Sequence, residues 1–272
     1  MHPLWPAAPE SPPPLVPGWA HVYFLPLDFD AAPGGVPDAL AYLHSLLSDG
    51  ERERAARFLV EPPRQQFIAS HAQMRQILNG YAQNGDIFGQ NGPSEAKNRP
   101  PAASGPQKSG AVRDLRFETL PQGKPYIPGS RLRFNLSHTT GAALLAVVLD
   151  RELGVDIESI DRTVDYAQIA PRFFAPSEAE ALLALPPDQR QSAFFRCWTR
   201  KEAFIKAVGG GLSIPLDSFT VTFAPGQPAL LDAPANPGWT LYALDPHPRY
   251  AAALVVEGAL AGMQCWTWSA LP

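Results

Sequence analysis

Apolar residues recur with helical spacing in the first third of the chain. In PDALAYLHSLLSDGERERAARFL, this spacing predicts one helix and then a second helix after the Ser48-Asp49-Gly50 break. The segment RQQFIASHAQMRQILNG repeats the pattern. We expect this third helix to end at Gly80, because glycine commonly ends helices.

Strand patterns dominate from Leu115 onward, in LRFETL, LRFNLS, AALLAVVL and LGVDIES. Only the polar turn Asp-Arg-Glu separates residues 142–149 from residues 153–158. Two apolar runs joined by a short polar turn are typical of a β-hairpin, and we expect one here.

The second half of the chain repeats the order of the first. Arg-Phe-Leu at Arg57 has a counterpart in Arg-Phe-Phe at Arg172, and the helical pattern from Phe67 resembles that from Phe194. The strand AALLAVV is likewise similar to AALVV, which begins at Ala252. We therefore predict an α+β fold of two similar halves related by a pseudo-two-fold duplication, each with a small, mainly antiparallel sheet packed on helices.

Composition divides the chain further. Residues 1–18 form a proline-rich tail, residues 19–150 the N-terminal half and residues 151–272 the C-terminal half. Within the first half, residues 84–110 are rich in Gly, Pro, Ser and Asn without apolar periodicity, which indicates an irregular insertion.

Charge and hydropathy exclude several classes of protein. The formal charge of −4 gives no long-range attraction for nucleic acid or an anionic membrane. The apolar run at residues 142–149 is far shorter than the ~20 residues of a membrane span. The N-terminus lacks the basic start and apolar stretch of a signal peptide, and two cysteines cannot build a zinc cage. We expect a cytoplasmic protein without nucleic-acid or membrane partners.

Two carboxylates in GVDIE lie on one face of a predicted strand, because Asp156 and Glu158 are two residues apart. At a separation of ~4 Å and an effective dielectric constant of ~20, they repel each other by about 4 kcal/mol. A positive group is therefore expected nearby. A solvated strand face is the alternative.

A second charged set lies on the predicted helix CWTRKEAFIKAV. Trp198, Glu202, Ile205 and Lys206 share one face. An ordinary surface ion pair would explain Glu202 and Lys206, but this helix is apolar around most of its circumference. Three carboxylates from a strand and a helix suit Mg²⁺, with Mn²⁺ possible, and Lys206 would neutralise phosphate charge or protonate a leaving oxygen.

Three glycines follow this helix. Gly209, Gly210 and Gly211 allow positive φ and a close approach to another group, whereas a plain helix end requires only one.

Three polar clusters remain. Ser137 and His138 in FNLSHTTG could hold a phosphate, or could be a solvated turn. The segment QGKPYIP is a rigid Gly-Lys-Pro turn. The basic helix ERERAARF is by itself most simply a solvated helix; its arginines and those downstream are Arg52, Arg54, Arg57, Arg64 and Arg75.

Taken in order, the motifs G-K-P, F-N-x-S-H, G-V-D-I-E, R-F-F-x-x-x-E and W-x-x-K-E-A-x-x-K-x-x-G-x-G-L resemble the 4′-phosphopantetheinyl transferases. The resemblance is to the large, surfactin-synthetase-activating, pseudo-dimeric type. It is strong from Leu115 to Thr222 and weaker from Ala41 to Asn79. It implies Mg²⁺-dependent transfer of phosphopantetheine from coenzyme A to a serine of an acyl or peptidyl carrier protein, with release of adenosine 3′,5′-bisphosphate.

The resemblance also implies roles for individual residues. Asp156, Glu158 and Glu202 would bind the metal, and Glu178 would help to deprotonate the serine while Lys206 assists the departing phosphate. Glu158 belongs to the catalytic set as well. The residues implied to contact coenzyme A are Arg54, Arg64, Gly123, Lys124, Pro125, Ser137, His138, Lys201 and Lys206.

The N-terminal half departs from the family pattern at positions that are often basic. Arg54 matches one of them and Arg64 is present, but Glu51 and Gln66 stand where relatives carry cations. We expect a monomer, since the duplication would supply both halves of the site. One alternative is a catalytically idle protein of the same fold that binds carrier protein or coenzyme A. The other is a different Mg²⁺-dependent phosphotransferase acting on a nucleotide, although G-x-x-x-x-G-K-[ST] is absent.

Overall fold

A computed structural model of the chain describes residues 5–28, 35–84, 87, 112–233 and 238–269. Apart from Asn84 and Ile87, the predicted insertion at residues 84–110 lies outside the described residues. In the part of the chain that is described, no helix is long and apolar enough to cross a membrane.

The structure contains six helices and eleven strands among the described residues. The helices are α1 (Gly35–Ser45), α2 (Asp49–Ala56), α3 (Glu61–Gln83), α4 (Tyr166–Phe173), α5 (Pro176–Ala184) and α6 (Pro187–Val208). The strands are β1 (Trp19–Pro26), β2 (Glu118–Thr119), β3 (Pro125–Tyr126), β4 (Leu132–Thr139), β5 (Ala142–Leu149), β6 (Leu153–Ser159), β7 (Thr220–Val221), β8 (Leu231–Asp232), β9 (Trp239–Leu244), β10 (Tyr250–Glu257) and β11 (Gly262–Thr267). Short 3₁₀ turns cover Val112–Asp114, Gly211–Ser213 and Leu216–Ser218.

Two larger sheets form the centre of the molecule. The first has the strand order β11-β1-β5-β4 and the second has the order β6-β10-β9. All neighbouring strands in them are antiparallel except β1 and β11. The predicted mixed α+β class with small, mainly antiparallel sheets is therefore confirmed.

The two sheets pack face to face between two long helices, because alternate side chains of each strand point to opposite faces. On β1, Val22 and Phe24 contact the second sheet, whereas Tyr23 and Leu25 contact α3. On β10, Leu254 faces the first sheet and its neighbours on either side face α6. The resulting order of layers is α3, first sheet, second sheet, α6.

The expected hairpin between residues 142–149 and 153–158 is wrong. Strand β5 pairs with β1 on one side and β4 on the other, so both of its edges are occupied before β6 begins. Strand β6 instead pairs with β10 in the second sheet. The short turn at residues 150–152 is therefore a crossing from one sheet to the other.

The third helix does not end at Gly80 but continues to Gln83. A Cβ added at Gly80 would lie 2.5 Å from Cδ of Pro12, so the glycine makes room for the N-terminal segment. That segment contains no helix or long strand between residues 5 and 18, but it is packed against the fold. Leu15 is buried, and the Pro12 carbonyl accepts a hydrogen bond from Asn84.

The two halves run through the same order of elements. Each begins with a strand, continues through helices that end in a long helix, and closes with a hairpin, β4–β5 or β9–β10. Within each sheet the first strand lies beside the last strand of the hairpin. Strand β11, although it belongs to residues 151–272, pairs with β1 of the other half.

Candidate active site

The candidate site lies where the edge strands of the two sheets, β4 and β6, run side by side. Alternate β4 side chains reach across this seam. Asn135 Oδ1 accepts a bond from the Val155 amide (2.8 Å), and Thr139 Oγ1 accepts one from the Ser159 amide (3.2 Å). Ser137 lies between them. The seam therefore holds the carboxylates of β6 in register with the polar side chains of β4.

Asp156 is the central carboxylate of the site and is buried. Its Oδ1 accepts hydrogen bonds from Ser137 Oγ (2.7 Å) and Lys206 Nζ (2.6 Å). Lys206 also donates to Ser137 Oγ (2.9 Å). The other oxygen, Asp156 Oδ2, is buried without a hydrogen-bond partner. Such an oxygen is costly unless a cation or donor completes it.

Helix α6 reaches the carboxylates because β6 carries a glycine at the point of contact. A Cβ added at Gly154 would overlap with the backbone of Ala203 and Ala207. The close approach places Glu202 and Lys206 beside Asp156. The two motifs of the sequence, G-V-D-I-E and K-E-A-x-x-K, therefore form one cluster.

The carboxylates of this cluster repel one another. Burial, followed by the charge of Asp156, raises the pKa of Glu202, although Lys206 opposes the shift. Burial and Asp156 likewise raise the pKa of Glu158. Glu158 is held by Thr139 Oγ1 (3.0 Å) and by Arg162 (2.8 Å). The negative charge of the cluster is therefore incompletely neutralised by its own cations.

The donor set fits a hard divalent cation in kind. Three carboxylates, an orphaned buried oxygen and two raised carboxylate pKa values all favour an added positive charge. Nevertheless, no group of three or more His, Cys, Asp or Glu side chains is gathered at metal-binding positions within the described ranges. In this arrangement the Lys206 ammonium lies against Asp156.

Cationic and imidazole groups surround the outer side of the cluster. His138 is exposed, and partial loss of hydration, together with the charges of Lys206 and Arg54, lowers its pKa. Burial lowers the pKa of His71 to about 4, with His138 and Arg54 acting in the same direction. Arg54 lies over the ring of Phe67, 5.1 Å from its centroid. Arg54 and His138, both predicted, are therefore within electrostatic range of each other, as are Lys206 and His138, and both Arg54 and His138 also act on His71.

Two predicted site residues lie apart from this cluster. Glu178 is only 4% exposed and Lys201 is completely buried. They form an ion pair of 2.6 Å. Their remaining bonds are to backbone groups, so both side chains are enclosed by protein in this arrangement. A family motif does not reveal which side of a helix a lysine occupies.

The predicted G-K-P turn is tied down by its lysine. Lys124 Nζ donates to Glu152 Oε2 (2.9 Å) and to the Leu153 carbonyl (2.7 Å). Its side chain therefore anchors the turn to the start of β6, a role the sequence did not predict. Gly123, beside it, has a φ of 87°, and Pro125 begins β3.

Glu51, one of the departures in the first half, has structural partners. Glu51 completes a capping box with Ser48 and forms a 2.5 Å ion pair with buried Arg75. Arg64 pairs with Glu61 at the surface. A cavity of about 890 Å³ adjoins this region, lined by Arg54, Arg75, Arg113 and Arg116 among others, and none of Asp156, Glu158 and Glu202 lines it.

Each of the three glycines after α6 has its own cause. Gly209 caps the helix at a φ of 74°. A Cβ at Gly210 would lie 2.5 Å from the Ile214 side chain, and Gly211 has a φ of 54° beside Gln122. The turn therefore folds back on itself and meets the G-K-P turn.

The site also contains residues that the sequence analysis missed. Thr139 follows His138 by one position and donates a hydrogen bond to Glu158. Arg162 lies four residues after Glu158 and also donates a hydrogen bond to it. His71 lies within the third predicted helix. The alternation of β4 could have identified Thr139, since positions 135, 137 and 139 share one face, but nothing local distinguishes His71.

Comparison with known proteins gives a consistent result. A model of the 4′-phosphopantetheinyl transferase superfamily matches residues 152–255, which include β6 and α6. The 4′-phosphopantetheinyl transferase HetI of Nostoc sp. is 35% identical over 243 residues, covering 88% of this chain and 87% of that protein.

Other similarities are shorter. The 4′-phosphopantetheinyl transferase Sfp of Bacillus subtilis is 41% identical over 109 residues, or 40% of this chain and 47% of Sfp. Among solved structures, the holo-[acyl-carrier-protein] synthase of Thermotoga maritima is 26% identical with a TM-score of 0.32, covering 40% of this chain and 63% of that one.

Proposed function

Because the chain belongs to the 4′-phosphopantetheinyl transferase superfamily, we propose that it transfers the phosphopantetheine group of coenzyme A to a serine hydroxyl of an acyl or peptidyl carrier protein. The products are the holo carrier and adenosine 3′,5′-bisphosphate. The observation that carries this proposal is the contact of Lys206 and Ser137 with Asp156, flanked by Glu158 and Glu202.

The metal in this proposal is Mg²⁺, with Mn²⁺ accepting the same ligands. Asp156, Glu158 and Glu202 would hold it. When bound, the ion would neutralise charge that develops on the phosphate oxygens. Support comes from the unpartnered Asp156 Oδ2 and from the raised pKa values of the two glutamates.

The protein's own cations would bind and orient the donor. Lys206 has an exposed fraction of 28% at its side chain and can turn from Asp156 towards a phosphate or a departing oxygen. The charges of Lys206 and Arg54 both act on His138. Substitution at phosphorus depends mainly on positioning and charge neutralisation, and this arrangement supplies both.

The serine proton needs an acceptor. With Glu178 enclosed, Glu158 and Glu202 are the described carboxylates next to the site that could take it.

We also propose that the two halves arose by duplication and that the enzyme is a monomer. The matching strand orders β1-β5-β4 and β6-β10-β9 support the duplication. The site draws β4 from the first half and β6 and α6 from the second, so one chain supplies every residue named above. Light scattering during size-exclusion chromatography tests the monomer.

The decisive experiment is intact mass spectrometry of a purified apo carrier protein incubated with this protein, coenzyme A and Mg²⁺, beside a chelator control. We expect a mass increase of one phosphopantetheine group that the chelator abolishes. If the carrier mass stays unchanged while coenzyme A still binds, the catalytically idle binding protein becomes the better description. An increase that survives chelation removes the metal from the proposal.

Asp156→Asn tests the site itself. We expect the transfer rate to fall at least ~10²-fold, because the charge that holds Lys206 and serves the metal is lost. Asp161→Asn is the matched control, since Asp161 is exposed and pairs with Arg249 at the surface. A rate for Asp156→Asn equal to that of the control would refute the assignment.

A further inference from the structure

Lys201 of α6 and Glu178 of α5 form a buried pair of charges. Lys201 Nζ contacts three acceptors: Glu178 Oε2 (2.6 Å), the Leu216 carbonyl (2.8 Å) and the Phe219 carbonyl (2.6 Å). An ammonium has three protons, so every donor is used. The ring of Phe219 lies 4.4 Å from Nζ and that of Phe174 lies 5.8 Å away.

Both carboxylate oxygens of Glu178 likewise accept hydrogen bonds. Its Oε2 also accepts from the Ala175 amide (2.9 Å), which closes the first turn of α5, and its Oε1 accepts from the Val221 amide in β7 (2.7 Å). The two side chains therefore connect α6 to the start of α5 and to residues 216–221. A buried ion pair adds little net stability but is costly to break from one side. Its use is to hold those backbone groups in place.

The segment held by the pair leads directly into the site. Residues 209–213 join α6 to Ile214, and their turn meets the first half at Gln122. A Cβ added at Gly211 would lie 3.6 Å from Gln122 Cβ. Gln122 precedes Gly123 and Lys124, the turn for which the family resemblance implies contact with coenzyme A. The pair is thus connected to the donor site through the backbone of one short segment.

We propose that Glu178 and Lys201 are positioning residues for this reaction. Together they fix residues 209–219 against the Gln122 turn, and neither touches the substrate. The kinetic part of this inference rests on the proposed function, whereas its structural part does not. This positioning role replaces the roles that the family motif implies, serine base for Glu178 and coenzyme A ligand for Lys201.

The test compares Glu178→Gln, Lys201→Met and the double variant. Each single change leaves a buried charge without its partner, so both should lower the melting temperature strongly. The double change removes both charges, and its melting temperature should recover most of the loss. We therefore expect the double variant to fold, with a segment that has lost its lysine donor. Asp161→Asn with Arg249→Met is the matched control, an exposed ion pair.

The first readout is hydrogen–deuterium exchange of peptides covering residues 209–221, without substrates. In the double variant we expect exchange there to be about 10-fold faster than in the wild type, because two carbonyls and the Val221 amide lose charged partners. Exchange in β10 should be unchanged. Equal protection of residues 209–221 in both proteins would overturn the inference, whatever the activity of the wild type.

The second readout is the kinetics of carrier modification. A displaced turn weakens donor binding, so the double variant should show a KM for coenzyme A about 10-fold higher with kcat within a factor of about three. If Glu178 were the base, Glu178→Gln would instead lower kcat strongly at unchanged KM and unchanged exchange, which would refute a positioning role. Wild-type kinetics in the double variant would also refute it. If the wild type modifies no carrier protein, the proposed function fails, and the exchange result still decides whether the pair holds the segment.

Discussion

His21 shows how burial alone can make one side chain sensitive to pH. It lies in the first sheet, where its Nδ1 is 2.6 Å from the hydroxyl of Tyr81, which in turn contacts the hydroxyl of Tyr23 (2.7 Å). Burial lowers the pKa of His21 from 6.5 to about 4, although a bond to Gln264 opposes the shift. The folded protein therefore keeps this imidazole neutral.

This shift predicts the pH dependence of stability. Below pH 6.5 the unfolded chain takes up a proton at His21 that the folded chain refuses until about pH 4. The contribution of His21 to the free energy of unfolding should therefore be complete above pH 6.5. It should be lost progressively as the pH falls from 6.5 to 4. Urea unfolding at a series of pH values measures this slope.

His21→Gln supplies the comparison, because glutamine can bond Tyr81 but does not titrate in this range. We expect the free energy of unfolding to depend less steeply on pH, by the equivalent of up to one proton taken up on unfolding. The dependence should not vanish, because the pKa of His71 is lowered in the same way. An unchanged slope in the variant would assign the effect to other groups.

At the scale of elements, the contact between β6 and α6 decides whether the carboxylates and Lys206 meet. Gly154 has no side chain, and the backbone of Ala203 and Ala207 occupies the space where a Cβ would lie. Backbone cannot move aside as the end of a flexible side chain can. The distance between strand and helix is therefore set at this glycine.

Gly154→Ala should lower the free energy of unfolding by about 1–3 kcal/mol or more, the usual cost of adding a carbon atom to a well-packed core. It should also reduce transfer activity, because α6 carries Glu202 and Lys206 away from Asp156. Thermal unfolding and the mass assay measure the two effects.

Gly50→Ala is the matched control for this substitution. Gly50 lies in α2 with no atom near an added Cβ, so alanine should leave stability unchanged or raise it by up to ~1 kcal/mol. If both variants had the same stability, the tight packing at Gly154 would be refuted.

At the scale of the whole molecule, the two halves are similar in order but not separate. Strand β11 of the second half completes the first sheet beside β1. Alternate residues of β1, β5, β6 and β10 form one shared apolar layer between the sheets. Cutting the chain between the halves would expose this layer and free an edge of β1.

We therefore expect a fragment of residues 1–150 to lack a cooperative thermal transition, because it loses the strand beside β1 and the cover of one sheet face. Circular dichroism on heating, with the full chain as control, measures this. A sharp transition near that of the full chain would establish an independent N-terminal domain.

The sequence by itself determined the elements that local pattern controls and the family to which the chain belongs. Apolar spacing predicted α1, α2, α3 and α6, and two-residue alternation placed Asp156 and Glu158 on one face of a strand. The order of motifs carried the resemblance to a transferase family, to which the chain belongs. The glycines after α6 and the charges within it were recognisable because they break an otherwise apolar pattern.

Only the tertiary structure decided what depends on distant contacts. Strand β5 has both edges occupied by partners far along the chain, so β6 could not close the expected hairpin. Gly80 does not end its helix, because its missing side chain makes room for Pro12. Lys201 and Glu202 are neighbours in one motif, but successive helix positions point about 100° apart. One is therefore buried against Glu178 and the other lies beside Asp156, a difference that arises from the surfaces packed on either side of α6.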